Sequence, residues 1–399
     1  MWIRNQYLAV SFLAFAADSK TSVCSGHPCR SNSTHIVWIN GKSTTGRGGK
    51  VLDIPLLGGR RVLTKGFESE KSCSYQTRAE AELECLVYLQ DNLMPFDQPF
   101  QETMGFSTNY SKDVGADGLD NGMIGPTISL ALDAKVLYPW TDLLTKAMFQ
   151  NYVLNYANFN EARNNWRPLL VDALRLNQSD IYQNLANSQS HNNEDELNDV
   201  DTVVSALVTF VNEVLWSRLS RDPNKPIFFK SSQTPLIFDS MSTIAFGYAS
   251  CTGTSILFSN ALRSVGIASR VVGTPAWYGN ASQGNHNWVE VYLPGDTIGW
   301  KFLEPSPAQP EVDTLEKDPC SRWFCAPSRY PSSKVYAAKL SRFSRGYGEI
   351  DSMSLNDPVS SGYAVEPIHV PLPWEWECKD VPGVDRTAFY ASVCGSCEE

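Results

Sequence analysis

The chain has 399 residues, of which 42% are hydrophobic and only 19% charged, with 11 Trp, 16 Tyr and 18 Phe. That supply of apolar and aromatic side chains excludes a disordered chain and is enough for a core divided over two or three structural units. The formal net charge of −10 carries no long run of one sign, and such a surface repels nucleic acid and anionic lipid, which excludes both as main partners.

The first 17 residues read as a signal peptide. Arg4 and the amino terminus are positive, Tyr7 to Ala17 is apolar, and Ala14-Phe15-Ala16 offers a small-x-small cleavage site. This stretch is too short to span a bilayer, and no later segment reads as a transmembrane anchor. Four N-x-[ST] sequons, at Asn32, Asn109, Asn177 and Asn280, fit a glycosylating secretory route to the extracellular space. Ten cysteines fit an oxidising compartment. Cys24/Cys29, Cys320/Cys325 and Cys394/Cys397 are close in sequence, and Cys73 and Cys85 lie twelve apart. Their pairing cannot be deduced from spacing. The C-terminal Cys-x-x-Cys has no second pair at zinc-finger spacing, so no metal site is expected.

Residues 18–70 are rich in Gly, Ser and Thr and form a strand and loop region, with Ile36-Val37-Trp38-Ile39 as one short strand. Residues 71–225 read as helical. Ala79 to Leu93 is one run. Val203, Val204, Leu207, Val208, Val211 and Leu215 recur at helical spacing behind Asp201, a cap candidate. Turn-rich breaks fall around Gly115 to Gly125 and Asn187 to Asp199. The stretch 226–330 is the expected catalytic core, and 331–399 a Pro-rich, β-rich extension.

Within the core, Gly247-Tyr248-Ala249-Ser250 reads as a loop. After it Leu257, Phe258, Ala261, Leu262 and Val265 share a helical face, and Gly266 is a stop. Cys251 therefore sits at or near a helix N-terminus, where unpaired N–H groups and the positive end of the helix dipole favour a thiolate nucleophile. Arg270-Val271-Val272 is a strand. A loop with Trp277 and Tyr278 follows, and these with Trp288 could line an apolar approach for substrate. His286 to Tyr292 alternates as a strand, with His286, Trp288, Glu290 and Tyr292 on one face. Pro294-Gly295-Asp296 is a turn, and Trp300 to Glu304 returns. A hairpin centred near Gly295 pairs Glu304 with His286, Phe302 with Trp288 and Trp300 with Glu290. A one-residue slip would separate His286 and Glu304 onto opposite faces. The spacing is thus compatible with nucleophile, base and orienting acid: Cys251, His286 and Glu304. Glu311 is a less well placed acid. His27, His35, His191 and His369 have no comparable setting.

The run Gly247-Tyr248-Ala249-Ser250-Cys251-Thr252-Gly253-Thr254-Ser255-Ile256 resembles the cysteine motif of transglutaminase-like proteins. Leu262 to Val272 resembles the helix and strand that follow it there. Asn285-His286-Asn287-Trp288-Val289-Glu290-Val291 resembles the histidine motif, and Trp300-Lys301-Phe302-Leu303-Glu304-Pro305 the acid motif. Upstream, Asn160 to Pro168 resembles a helical segment that precedes the core. The resemblance implies an α+β fold with a papain-like, transglutaminase-like core, in which the cysteine-bearing helix packs on an antiparallel sheet. It also implies a thioester formed from a glutamine side chain or other amide and passed to an amine or water, with no cofactor. Its partners would be a protein or peptide amide and an amine acceptor. One residue departs from the pattern: the usual acid is Asp, and here it is Glu304. A cysteine peptidase or deamidase would use the same three residues, and a non-catalytic binding module would keep only the fold.

Overall fold

The structure is a computed structural model that describes residues 21–22, 36–39, 61–64, 75–106, 122–174, 200–222, 224–232, 237–294, 299–307, 334–341, 369–371 and 381–394. The leader, the sequons at Asn32, Asn109 and Asn177, Glu311, and His27, His35 and His191 lie outside these residues.

Strands β1 (Thr21–Ser22) and β4 (Tyr75–Gln76) pair, as do β2 (Ile36–Ile39) and β3 (Arg61–Thr64). Helix α1 (Arg78–Asp91) starts at a reciprocal cap, in which Thr77 accepts from the Glu80 N–H while the Glu80 carboxylate accepts from the Thr77 N–H. Helices α2 (Ile124–Leu137), α3 (Trp166–Ala173) and α4 (Val200–Arg218) follow. No described helix is long and apolar enough to cross a membrane.

Two helical expectations are corrected. Asn160 to Asn165 is not helical, and α3 begins only at Trp166. Glu161 instead accepts from the Asn158 and Phe159 N–H groups at 2.8 and 2.6 Å, and Arg163 is drawn to Asp97 at 2.9 Å. These local bonds give the backbone an alternative to the helix. Asp201 is not the cap of α4 but lies inside its first turn, where a carboxylate still complements the helix dipole.

The core begins with β5 (Phe228–Phe229), helix α5 (Ser240–Phe246) and β6 (Tyr248–Ala249), with β5 and β6 parallel. Helix α6 (Cys251–Ser264) comes next and is buried from Thr252 to Ser264, on every face rather than one. A helix enclosed this way needs close neighbours, and Gly253 provides room: a Cβ there would meet the Ile237 carbonyl oxygen at 2.6 Å and the Ala249 methyl at 2.7 Å.

After α6 come β7 (Ser269–Thr274), β8 (His286–Tyr292), β9 (Trp300–Leu303), β10 (Tyr336–Ala338), β11 (His369–Pro371), β12 (Pro382–Asp385) and helix α7 (Thr387–Cys394). Six of these strands form one antiparallel sheet in the order β11-β12-β10-β7-β8-β9. The late strands β10 to β12 continue the sheet that carries His286. Helix α6 covers one face with Leu257, Phe258, Ala261 and Leu262 against Val289, Val291 and Leu303. On the other face Trp288 and Phe302 pack with Phe389 and Tyr390 of α7. The fold is α+β, with the cysteine-bearing helix against an antiparallel sheet.

Candidate active site

Cys251 is the first residue of α6 and a partly exposed free thiol. Ser250 occupies the cap position but makes no side-chain cap bond, so no hydroxyl competes for the N–H groups of the first turn. Cys85, the other free thiol among the described cysteines, is buried in the helical region. Burial and the neighbouring Glu84 charge push its thiol up to about 12, which makes it unreactive.

His286 opens β8, and Glu304 follows the last residue of β9. Their side chains meet: His286 Nε2 lies 3.0 Å from Glu304 Oε1 and 3.1 Å from Oε2. The hairpin reaches this contact by another register than the turn signal predicts. Observed pairs are Val289 with Leu303, Glu290 with Phe302 and Tyr292 with Trp300, two residues from the expected alignment. A two-residue shift preserves the face, because side chains alternate with period two. It moves Glu304 from directly opposite His286 to a diagonal neighbour, a separation of about 7–8 Å between Cα atoms. The extra methylene of glutamate spans that diagonal, which gives a physical reason for Glu at this position.

The Cys251 thiol is a hydrogen-bond partner of the same imidazole. Burial opposes a charge on the ring, but Glu304, together with the hydrogen bonds to Cys251 and Glu304, holds the His286 pKa up to about 10. The side chains of His286 and Glu304 are 13% and 19% exposed, dry enough for a strong pair and open enough for a reactant.

Two contacts from elsewhere fix this geometry, and sequence reasoning missed both. The Thr252 hydroxyl donates to Asn287 Oδ1 at 3.2 Å, tying the residue after the thiol to the residue after the imidazole. On α4, fully buried Asn212 donates through Nδ2 to the Glu304 carbonyl at 3.3 Å and accepts from the Ser306 N–H at 3.0 Å. The available signal was an Asn on the apolar face of a helix, a polar group that burial obliges to find partners.

Of the three aromatics expected to line an approach, Trp277 is buried and its ring stacks on His286, with centroids 6.4 Å apart and planes 24° apart. Tyr278 is exposed and holds a left-handed backbone, φ 57°, that non-glycine residues seldom adopt. Trp288 is a correction: it is fully buried and cannot line a substrate approach. Its indole N–H donates to the Tyr390 hydroxyl at 2.9 Å, and that hydroxyl donates to Glu290 Oε1 at 2.8 Å. Glu290 also pairs with Arg270 at 2.7 Å and Arg386 at 3.1 Å. Burial works against its charge, yet the two guanidiniums hold its carboxyl below the usual range. Charges at Arg270 and Glu290 inside strands otherwise apolar were the sequence signal for this network.

Asn280 is exposed, and its Oδ1 accepts from the Ser282 hydroxyl of its own sequon at 2.8 Å. A separate cleft, lined by Asp97, Met104 and Arg163 among others, does not include Cys251, His286 or Glu304.

Among solved structures, the chain is similar to red sea bream transglutaminase at 14% identity, covering 45% of this chain and 35% of that one, with a TM-score of 0.28. It is also similar to a protein of Cytophaga hutchinsonii provisionally described as a cysteine protease, at 12% identity, covering 58% of this chain and 67% of that one, with a TM-score of 0.20. The chain thus spans about a third of the length of the sea bream protein. No curated protein sequence matches it. The family model of the transglutaminase-like superfamily core matches residues 183–305, a span that holds Cys251, His286 and Glu304. The chain carries a core of the transglutaminase-like superfamily.

Proposed function

We propose that the protein is a cysteine-dependent enzyme that forms a thioester from an amide and passes the acyl group to an amine or to water. The observation that carries this reading is the imidazole of His286, held by Glu304 through Nε2 and hydrogen-bonded to Cys251. With its pKa near 10, His286 is an imidazolium at neutral pH, and an imidazolium beside the sulfur stabilises a thiolate.

The thiolate attacks the carbonyl carbon of a glutamine side chain or another amide. The oxyanion that forms accepts hydrogen bonds from the uncapped N–H groups at the start of α6. His286 gives its proton to the leaving nitrogen, the C–N bond breaks, and ammonia or an amine departs, leaving the thioester. His286, now neutral, takes a proton from the incoming amine or water. The second tetrahedral intermediate collapses, and the thiolate returns beside the imidazolium. Glu304 orients the ring and fixes its tautomer. The substrates are protein or peptide amides. Export as a glycoprotein belongs to the same reading, supported by the exposed sequon at Asn280.

The test is incorporation of a labelled primary amine into a glutamine-containing protein, with ammonia release followed in parallel. Incorporation identifies transfer, and ammonia or peptide release without incorporation, even at high amine, identifies a deamidase or peptidase. Cys251→Ala is expected to reduce either activity by about 10⁴-fold or more. Unchanged turnover in Cys251→Ala, or alkylation of Cys251 at pH 6 no faster than a model thiol, overturns the enzyme reading in favour of a binding module.

A further inference from the structure

The loop of residues 275–285 leaves and re-enters the sheet at the histidine of the site. Thr274, the last residue of β7, pairs with His286, the first of β8. The loop folds tightly on itself. The Trp277 N–H donates to the Gly284 carbonyl at 3.0 Å, the Asn280 N–H to the Trp277 carbonyl at 2.9 Å, and the Gln283 N–H to the Asn280 carbonyl at 2.9 Å. Gly279 and Gly284 join Tyr278 in left-handed backbone, at φ 67° and 85°. One end is pinned to the site by the buried Trp277 ring, stacked on His286. The tip is open: Tyr278 to Asn280 and Ser282 to Asn285 are all exposed. Asn280 is thus held in a fixed place, bonded through its own N–H to the residue that covers the imidazole. Its side-chain Oδ1 accepts from the Ser282 N–H at 3.0 Å and from the Ser282 hydroxyl at 2.8 Å. Neither bond uses Nδ2, the atom that a sugar joins at an N-x-[ST] sequon.

We propose that an N-linked glycan on Asn280 acts as a size filter over Cys251, admitting small amines and flexible peptides to the thiol and holding back folded proteins. The inference rests on the export and amide chemistry proposed above and narrows the substrate class of that site. The sugar donor is a lipid-linked oligosaccharyl pyrophosphate. Its anomeric carbon bonds to Asn280 Nδ2, the bond from that carbon to the pyrophosphate breaks, and the lipid pyrophosphate leaves with the electron pair. Nδ2 gives up one proton. The attached glycan is bulky and hydrated. Swinging it away from the site would break the Trp277–Gly284 bond and lift the indole from His286. The opening beside it is small, since the His286 and Glu304 side chains are only 13% and 19% exposed. A bulky group fixed beside a narrow opening obstructs a large reactant far more than a small one.

The experiment uses the full chain secreted from a eukaryotic cell that makes high-mannose glycans, with peptide mapping to read the occupancy of Asn280. One sample stays intact, and the other is trimmed by an endoglycosidase that leaves a single sugar, so the polypeptide is the same in both. Modification of Cys251 is followed by mass spectrometry with iodoacetamide and with a maleimide on a long polyethylene glycol chain. Trimming is expected to speed the large reagent about tenfold and to leave the iodoacetamide rate unchanged. Asn280→Gln, with the other sequons intact, is expected to match the trimmed sample. A bare Asn280 in the secreted protein overturns the inference, as does an unchanged rate for the large reagent. Equal acceleration of both reagents also overturns it, because the thiol's reactivity rather than its access has then changed. Acceleration by trimming that Asn280→Gln does not reproduce assigns the obstruction to another glycan and overturns it too. Modification needs no turnover, so a size filter in a protein without amide chemistry would refute the proposed function alone. Amine incorporation by a protein with a bare Asn280 would refute the filter alone.

Discussion

The two faces of the central sheet are built by different physics. The face under α6 is apolar, with Leu257, Phe258 and Leu262 against Val289, Val291 and Leu303. The opposite face buries a carboxylate, two guanidiniums and a phenol: Glu290, Arg270, Arg386 and Tyr390. The first face holds the thiol's helix mainly through apolar area, a non-directional force that tolerates small adjustments, with Ser259 and Arg263 adding hydrogen bonds to Ser269. The second holds Trp288, and with it the strand of His286, by bonds with fixed directions. Burying those charges is costly unless every partner is present. The site thus joins a nucleophile set by packing to a base set by a polar network, and Thr252–Asn287 links the two.

The two faces differ most in their response when one partner is removed from each. Glu290→Ala is expected to destabilise by about 3–5 kcal/mol because it strands two buried guanidiniums. Phe258→Ala is expected to cost about 3–5 kcal/mol through a cavity. Their pH responses separate them. The Glu290 carboxyl is held below its usual range, so its contribution is full above the ordinary carboxylate pKa and disappears as pH falls through the folded value. Denaturant titrations should therefore show the gap between wild type and Glu290→Ala shrinking in acid, while the Phe258→Ala gap stays constant. A pH-independent Glu290→Ala gap would mean that the network does not carry charge.

The next effect lies in the site. The His286 pKa is raised from 6.5 to about 10. The stabilisation from its charged form is complete below the ordinary value and is lost as pH rises through about 10. Glu304→Gln keeps the hydrogen-bonding shape but removes the charge, so the alkaline limb of kcat/KM should move down from near 10 toward the ordinary range, with a loss of about 10–100-fold at pH 8. An unmoved limb would show that Glu304 does not set the proton affinity of the ring. A smaller loss is expected for Asn212→Ala, about tenfold in kcat with little change in KM, because Glu304 then lacks its backbone anchor. An equal fall in thermal stability and activity, without the kcat bias, would reduce Asn212 to a packing role. The smallest effect belongs to Tyr390→Phe. It removes one hydroxyl that links Trp288 to Glu290 and should cost about 1–3 kcal/mol of stability, read by urea titration, with the pH profile of activity unchanged.

The local parts of the site were legible in the sequence. The helix from Cys251, the strand from His286 and the returning strand at Trp300 all follow from short-range periodicity and turn residues. The helix of Ala79 to Leu93 and the strand Ile36–Ile39 were legible for the same reason. The segment Asn160 to Asn165 was not, because Asp97, far away in the chain, competes for Arg163. Nor was the burial of Trp288, which depends on a tyrosine 102 residues later.

The sequence alone placed Cys251 at the start of a helix and His286 on one strand face with Trp288, Glu290 and Tyr292, since both follow from the periods of 3.6 and two residues that covalent geometry imposes. Tertiary structure alone decided the register. The hairpin aligned two residues from the position that the turn signal favours, so that Glu304 meets the imidazole on a diagonal. It also decided that Asn212 of a distant helix would clamp the acid and that α7 would close the far face of the sheet. Those choices depend on which buried polar groups find partners across the fold. The energy of such pairing belongs to three-dimensional contacts that no local pattern encodes.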